Sequence, residues 1–286
     1  MSDCVRRKRI GAWLACSLII ICMVLGIGNS VKAEEELLPY AENNINRYLI
    51  QYSSLAVTDT GYFRMFNTDE GIYIEEYDDS FEITGRRSIE TELSYFGGFF
   101  SGSDGYYFVF GQDNTEEDND TEVVRVVKYS KTWERVGAAS LKGDSAFGHE
   151  IRFPFYSGSC NMAEYDGTLY ILTAHQGYVD AQYGMGHVGF LMFAVDEETM
   201  TGKIMDADLW HSFSQHIAIK DSENIYVLEE SEGSGYTKVT RMKKGSSGGT
   251  EVPVFEYGGS RTSAWAIATY ATADAIALSD KNVLAV

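Results

Sequence analysis

The chain has 286 residues, with 42 acidic side chains against 23 Lys and Arg, and 44% of its residues are hydrophobic. The resulting net charge of −19 excludes the profile of a nucleic-acid binder, which needs a basic face for phosphates. Of four cysteines, Cys4, Cys16 and Cys22 fall in the first 22 residues, which excludes a disulfide framework in the rest of the chain.

Those first residues read as an address. Arg6, Arg7, Lys8 and Arg9 form a basic start, residues 10–27 are apolar, and Val31-Lys32-Ala33 fits a cleavage site. Residues 1–33 are therefore expected to be a secretory signal peptide, placing the mature protein outside the cell or at its surface. Left uncleaved, a run of about 18 apolar residues would be the only membrane attachment. Trp13-Leu14-Ala15-Cys16 is a poor lipobox. Removing the five basic residues of this segment and Asp3 leaves 18 basic against 41 acidic residues, a net −23. Cys160 is then alone, and a buried small hydrophobe is the expected role.

Residues 34–48 form a leader that opens with Glu34-Glu35-Glu36. From there the chain reads as all-β. Short runs rich in Tyr, Val, Ile, Phe and Thr are bounded by Gly, Asp, Asn and Ser, and Pro occurs three times. One turn recurs. Asp59-Thr60-Gly61 precedes Tyr62–Phe66, Ser103-Asp104-Gly105 precedes Tyr106–Phe110, and Asp166-Gly167 precedes Thr168–Leu172. Asp221–Asn224 and Ser279–Asn282 precede Ile225–Leu228 and Val283–Val286. The strand starts at 62, 106, 168, 225 and 283 are spaced by 44, 62, 57 and 58 residues. Propeller blades repeat at roughly 40–50 residues plus loops, and such turns suit tight hairpins. The expected fold is a β-propeller of four-stranded antiparallel blades, approximately 49–92, 93–143, 153–209, 211–259 and a partial 260–286. About four and a half blades do not close a ring, so the expectation is a truncated propeller unless residues 46–57 complete it. Residues 261–279 are Ala-rich and read as helix or strand, with the following turn favouring strand.

In the third unit, a polar, Gly-rich loop is expected from Thr173 to His187, between strands at 168–172 and 189–195. Ala194-Val195-Asp196 followed by Thr201-Gly202-Lys203 resembles the outer hairpin of quinoprotein-type propeller repeats, without their closing Trp. That resemblance implies the fold and not a quinone. Residues 34–286 as a whole resemble uncharacterised secreted β-propellers of Gram-positive bacteria, most closely over the runs Gly158–Gly167 and His211–Gln215. The resemblance implies fold and export; it carries no catalytic residue over.

Strand alternation places hairpin turns on one face and the remaining loops on the other. His149, Glu150, His175, Tyr178, Asp180, Tyr183, His187, Trp210 and His211 all fall in expected loops of that second face, around the third and fourth blades. They are the ligand-binding candidates, because function often sits on loops held by a rigid scaffold. The only cofactor class left open is a divalent metal, at these histidines or at the acidic run 113–122. No close-spaced ligand motif supports the first, and the run lacks calcium-loop spacing, so a solvated loop is expected there. No nucleophile elbow, phosphate loop, His-Glu-x-x-His or sialidase Asp-box is present. The sequence thus points to binding of an extracellular glycan, peptide or protein, with glycan hydrolysis as the alternative and no catalytic residue assigned.

Overall fold

The computed structural model describes residues 53–58, 61–68, 70–144, 150–155, 160–182, 184–207, 212–231, 236–244, 249–256, 276–278 and 283–285. The signal segment, the leader and residues 261–275 lie outside them.

The described residues are all β. The first sheet runs β1 (Ser53–Thr58), β2 (Gly61–Thr68), β3 (Gly71–Tyr77) and β4 (Ile83–Ile89) in sequence order, every pair antiparallel. The second repeats this with β5 (Tyr95–Ser101), β6 (Gly105–Gly111), β7 (Glu122–Ser130) and β8 (Arg135–Lys142). After the short β9 (Phe153–Pro154) comes the third, β10 (Cys160–Tyr165), β11 (Thr168–Asp180), β12 (Met185–Asp196) and β13 (Thr201–Ala207). The fourth is β14 (Ser212–Ile219), β15 (Asn224–Ser231), β16 (Tyr236–Lys243) and β17 (Gly249–Glu256). A pair, β18 (Ile276–Leu278) and β19 (Val283–Ala285), begins a fifth. These are propeller blades, and every expected second strand is found. Ser53–Thr58 pairs with β2, so this part of the 46–57 segment belongs to the first blade.

The core lies between blades, in layers. Phe63, Met65, Ile72 and Ile74 of the first sheet pack on Phe99, Tyr106, Phe108 and Phe110 of the second. The opposite face of the second sheet, with Tyr107, Val109, Val124 and Val126, packs on Leu169, Ile171, Leu191 and Phe193 of the third. Tyr170, Leu172 and Met192 then meet Ile217, Ile225 and Val227 of the fourth, and Leu228 and Val239 meet Ile276. Each large side chain so buried contributes roughly 1.5–3 kcal/mol.

This layering explains the hydrophobic patterns. A strand with a sheet on both faces has no polar face, so β6 (Gly-Tyr-Tyr-Phe-Val-Phe-Gly) is buried along its whole length. Among the described residues, strand β2 has a neighbour on one face only, and its burial alternates. Where the chain crosses over sheet two, glycine is required. A Cβ at Gly97 or at Gly111 would enter the ring of Phe155.

The third blade departs from expectation. No loop runs from 173 to 187: β11 continues to Asp180 and β12 starts at Met185, in register beyond a bulge between Gln176 and Val179. The extension is held by a partner distant in sequence, β9, which pairs Pro154 with His175 and Phe153 with Gln176.

Candidate functional site

The second hairpins of the first three blades each turn on a bulky residue with positive φ: Phe81 (61°), Trp133 (66°) and Met200 (52°). The turns close by Phe81 N to Asp78 O at 2.9 Å, Trp133 N to Ser130 O at 2.9 Å and Met200 N to Asp196 O at 2.9 Å. Their first residues cap them: Asp78 Oδ1 accepts from Ser80 N, Ser130 Oγ from Thr132 N, and Asp196 Oδ1 from Thr199 N. The bulky residue reaches the preceding blade. Trp133 stacks on Tyr106 at 4.1 Å and meets Phe63 edge-on at 5.4 Å. Met200 packs against Gly137.

Described residues of this turn face line the following openings. One is a groove of about 640 Å³ between the first and second sheets. Tyr62, Tyr77, Tyr106 and Trp133 line it together with Thr84, Ser101, Ser103, Glu76 and Lys131. Tyr62 stacks on Phe81 at 4.7 Å, and the Lys131 ammonium lies 4.4 Å from the centre of the Tyr106 ring. Burial lowers the Lys131 pKa, against the pull of Glu164 and Asp104.

A second opening, of about 480 Å³, lies between the second and third sheets and is lined by Asp104, Lys128, Asp166, Asp196, Glu197 and Glu198, among others. Asp104 comes from the β5–β6 turn, Glu164 from β10 and Glu197 from the β12–β13 turn. One carboxylate oxygen from each lies within 4.8 Å of the other two. Lys128 is placed by strand parity: it follows Val124 and Val126 on the buried face of β7 and reaches Asp104 Oδ2 at 2.6 Å and the Glu197 carbonyl at 2.8 Å. The Tyr107 hydroxyl donates to Asp104 Oδ1 at 2.8 Å. Ser103 holds Glu164 through its N–H at 2.7 Å and its hydroxyl. Burial disfavours ionisation of Asp104, but hydrogen bonds from Lys128 and Tyr107 outweigh it and keep that carboxyl below its usual range. Glu197 is only 4% exposed. Burial, then the neighbouring Glu164 and Asp104, push its pKa up to about 7, and its Oε1 is buried without a hydrogen-bond partner. Burial and the bond to Asp104 raise the Tyr107 pKa.

The sequence candidates lie elsewhere. His149, Tyr183, Trp210 and His211 fall outside the described residues. His175, Tyr178 and His187 are corrected from loop to strand: His175 is fully buried on β11 opposite Gly189, Tyr178 is half-buried on β11, and His187 is half-buried on β12. Asp180 is exposed at the end of β11, where its Oδ1 caps the turn through Gln182 N at 2.6 Å. Glu150 is half-buried. Of the candidates, Glu150 and Tyr178 are brought together: burial raises the Tyr178 pKa and the Glu150 charge adds to it.

The acidic run 113–122 is the largely exposed loop expected up to Thr121, but it is anchored at two points. Asn114 is buried, and its amide nitrogen donates to Asp118 O at 2.9 Å and to the Tyr178 hydroxyl at 2.9 Å. Glu117 accepts from Val179 N at 2.9 Å and pairs with Arg152 at 3.4 Å. Cys160 meets its expectation. Although the residue is half-buried, its thiol is enclosed against the core, and burial pushes its pKa up to about 12, far from a nucleophile's range.

No family model matches the chain. No curated protein matches it. Among solved structures it is similar to a glycoside hydrolase family 43 arabinoxylan arabinofuranohydrolase from Bacillus subtilis, at 14% identity and a TM-score of 0.40, over 72% of this chain and 50% of that one. It is similar to an alpha-L-arabinofuranosidase from Lactobacillus brevis at 14% identity and a TM-score of 0.34, over 62% of this chain and 63% of that one. A chimeric ACO/RPE65 protein is similar at 10% identity and a TM-score of 0.40, over 72% and 50%. The chain thus spans half to just under two thirds of the length of these three structures.

Proposed function

We propose that the chain is a secreted, extracellular glycan-binding propeller that takes its ligand in the turn-face groove between the first and second sheets. The observation that carries this is the lining: five aromatic side chains, Phe63 among them, interleaved with hydroxyls, one carboxylate and one ammonium in a groove of about 640 Å³. Aromatic rings cover the apolar faces of a sugar, and hydroxyl and charged groups take its OH groups. A neutral, hydroxyl-rich ligand also tolerates a strongly acidic protein, which an anionic one does not.

Hydrolysis of that glycan is the second reading. It is favoured by the carboxylates of Asp104 and Glu164, which lie just across the Gly102–Asp104 turn from the groove, where Ser103 both lines the groove and holds Glu164. Glycosidic cleavage employs a carboxyl pair about 5–10 Å apart, and with oxygens within 4.8 Å of each other this pair stands at the short end of that range. A panel of neutral oligosaccharides, followed by calorimetry and by release of reducing ends, separates the two. Binding without turnover, weakened by Tyr62→Ala, supports the first. Turnover lost in Asp104→Asn supports the second. A panel that neither binds nor turns over contradicts both.

A further inference from the structure

We propose that Asp104, Glu164 and Glu197 form a binding site for one divalent cation, calcium by size and by donor type. The three belong to two blades and three separate segments, yet present one carboxylate oxygen each within 4.8 Å of the others. Calcium binds oxygens at about 2.3–2.6 Å. Two ligands on opposite sides of one ion therefore stand about 4.6–5.2 Å apart, and the observed spread fits around a single ion. The set is all oxygen, which selects a hard cation over zinc or copper.

The second observation is Glu197. It is 4% exposed, and its Oε1 is buried with no hydrogen-bond partner. Buried carboxylate oxygens are ordinarily satisfied, and an orphan one asks for a partner. The nearby cation does not supply it. Lys128 gives its hydrogen bonds to Asp104 Oδ2 and to the backbone carbonyl of Glu197. The second ammonium that feels Glu164 and Asp104, Lys131, gives its hydrogen bond to the Gly102 carbonyl. The other two carboxylates are already oriented, Asp104 by Tyr107 and Lys128, Glu164 by Ser103. Each of their oxygens retains a lone pair beyond the bond it accepts. The opening of about 480 Å³ beside them has room for the waters that complete six to eight ligands.

The ion would tie the β5–β6 turn of the second blade to β10 and the β12–β13 turn of the third. The site shares the second sheet and Ser103 with the groove, but its carboxylates do not line the groove, so calcium uptake is read without any glycan present. It competes with hydrolysis, because an ion withdraws these carboxylates from proton transfer.

The test is titration of the EDTA-treated full chain with CaCl₂ by calorimetry, with thermal melts in parallel. One calcium per chain is expected, with Kd of roughly 10⁻⁵–10⁻³ M and a melting temperature that rises with calcium. Glu197→Gln and Asp104→Asn should each weaken binding at least tenfold, while the exposed Asp79→Asn, on a different turn, should bind as the parent does. Glu197→Gln relieves a buried charge and keeps the fold, so its loss of binding reads on the site. No uptake at 10 mM CaCl₂ by a cooperatively melting chain would overturn the proposal, as would parental affinity in both site variants.

Discussion

At the scale of single residues, the turn face depends on charged groups placed on buried faces. Lys128 has 7% side-chain exposure and is the local counter-charge of the Asp104 cluster. Removing one partner of such a pair strands the other, which costs several kcal/mol when burial is complete. Asp104 is 52% exposed, so water screens that loss and Lys128→Ala is expected to cost about 1 kcal/mol in urea unfolding, whereas Lys142→Ala, in which both partners are exposed, should leave the midpoint in place. Glu92 accepts from Arg135 at 2.6 and 2.9 Å and from Arg125 at 3.3 Å. The Arg135 hydrogen bonds lead in holding its pKa below the ordinary value, over the opposing effect of burial. A depressed folded pKa means stability that is full above the unfolded pKa, near 4.5, and is lost as pH falls through the folded value. Acid melts below about pH 5 should therefore cost the parent more than Glu92→Gln, which at pH 7 is about 1–2 kcal/mol the weaker. Lys128 escaped the sequence reading, because both parities of the Val123–Val127 run are apolar. So did its carboxylate partners, because Asp104 and Glu197 read only as turn residues, and their convergence is set by how blades stack.

At the scale of elements, the repeat was legible because Asp, Gly and Asn at the first turns fix tight hairpins whatever surrounds them. The 173–187 segment was misread for the opposite reason. Thr173, His175, Gln176 and Gly177 look like loop by composition, and their strand is specified by Phe153–Pro154, a partner about twenty residues away. The second-hairpin turns make the same point energetically. Trp133 and Phe81 occupy one position of the repeat, but Trp133 is covered by the first blade and Phe81 is 60% exposed. Trp133→Ala should destabilise by about 3 kcal/mol and Phe81→Ala by about 0.5 kcal/mol, both read from chemical denaturation. Gly111→Ala drives a methyl into Phe155 and is expected to cost about 1–3 kcal/mol.

At the scale of the molecule, successive sheets bury both faces of the second and third blades and leave a turn face with one aromatic groove and one carboxylate-lined opening. The sequence directs attention to the opposite face, where the histidines gather. There His175 and Asp180 are drawn into strand pairing and Tyr178 into its contact with Asn114. The two faces make different predictions for the same ligand. The most direct measurement is the affinity of a groove variant, Tyr62→Ala, and an opposite-face variant, Tyr178→Phe, for whichever neutral oligosaccharide the parent binds. A loss of at least tenfold in Tyr62→Ala, with Tyr178→Phe unchanged, is the predicted result. Unchanged affinity in Tyr62→Ala with a loss in Tyr178→Phe would contradict the account and move the site to the histidine face.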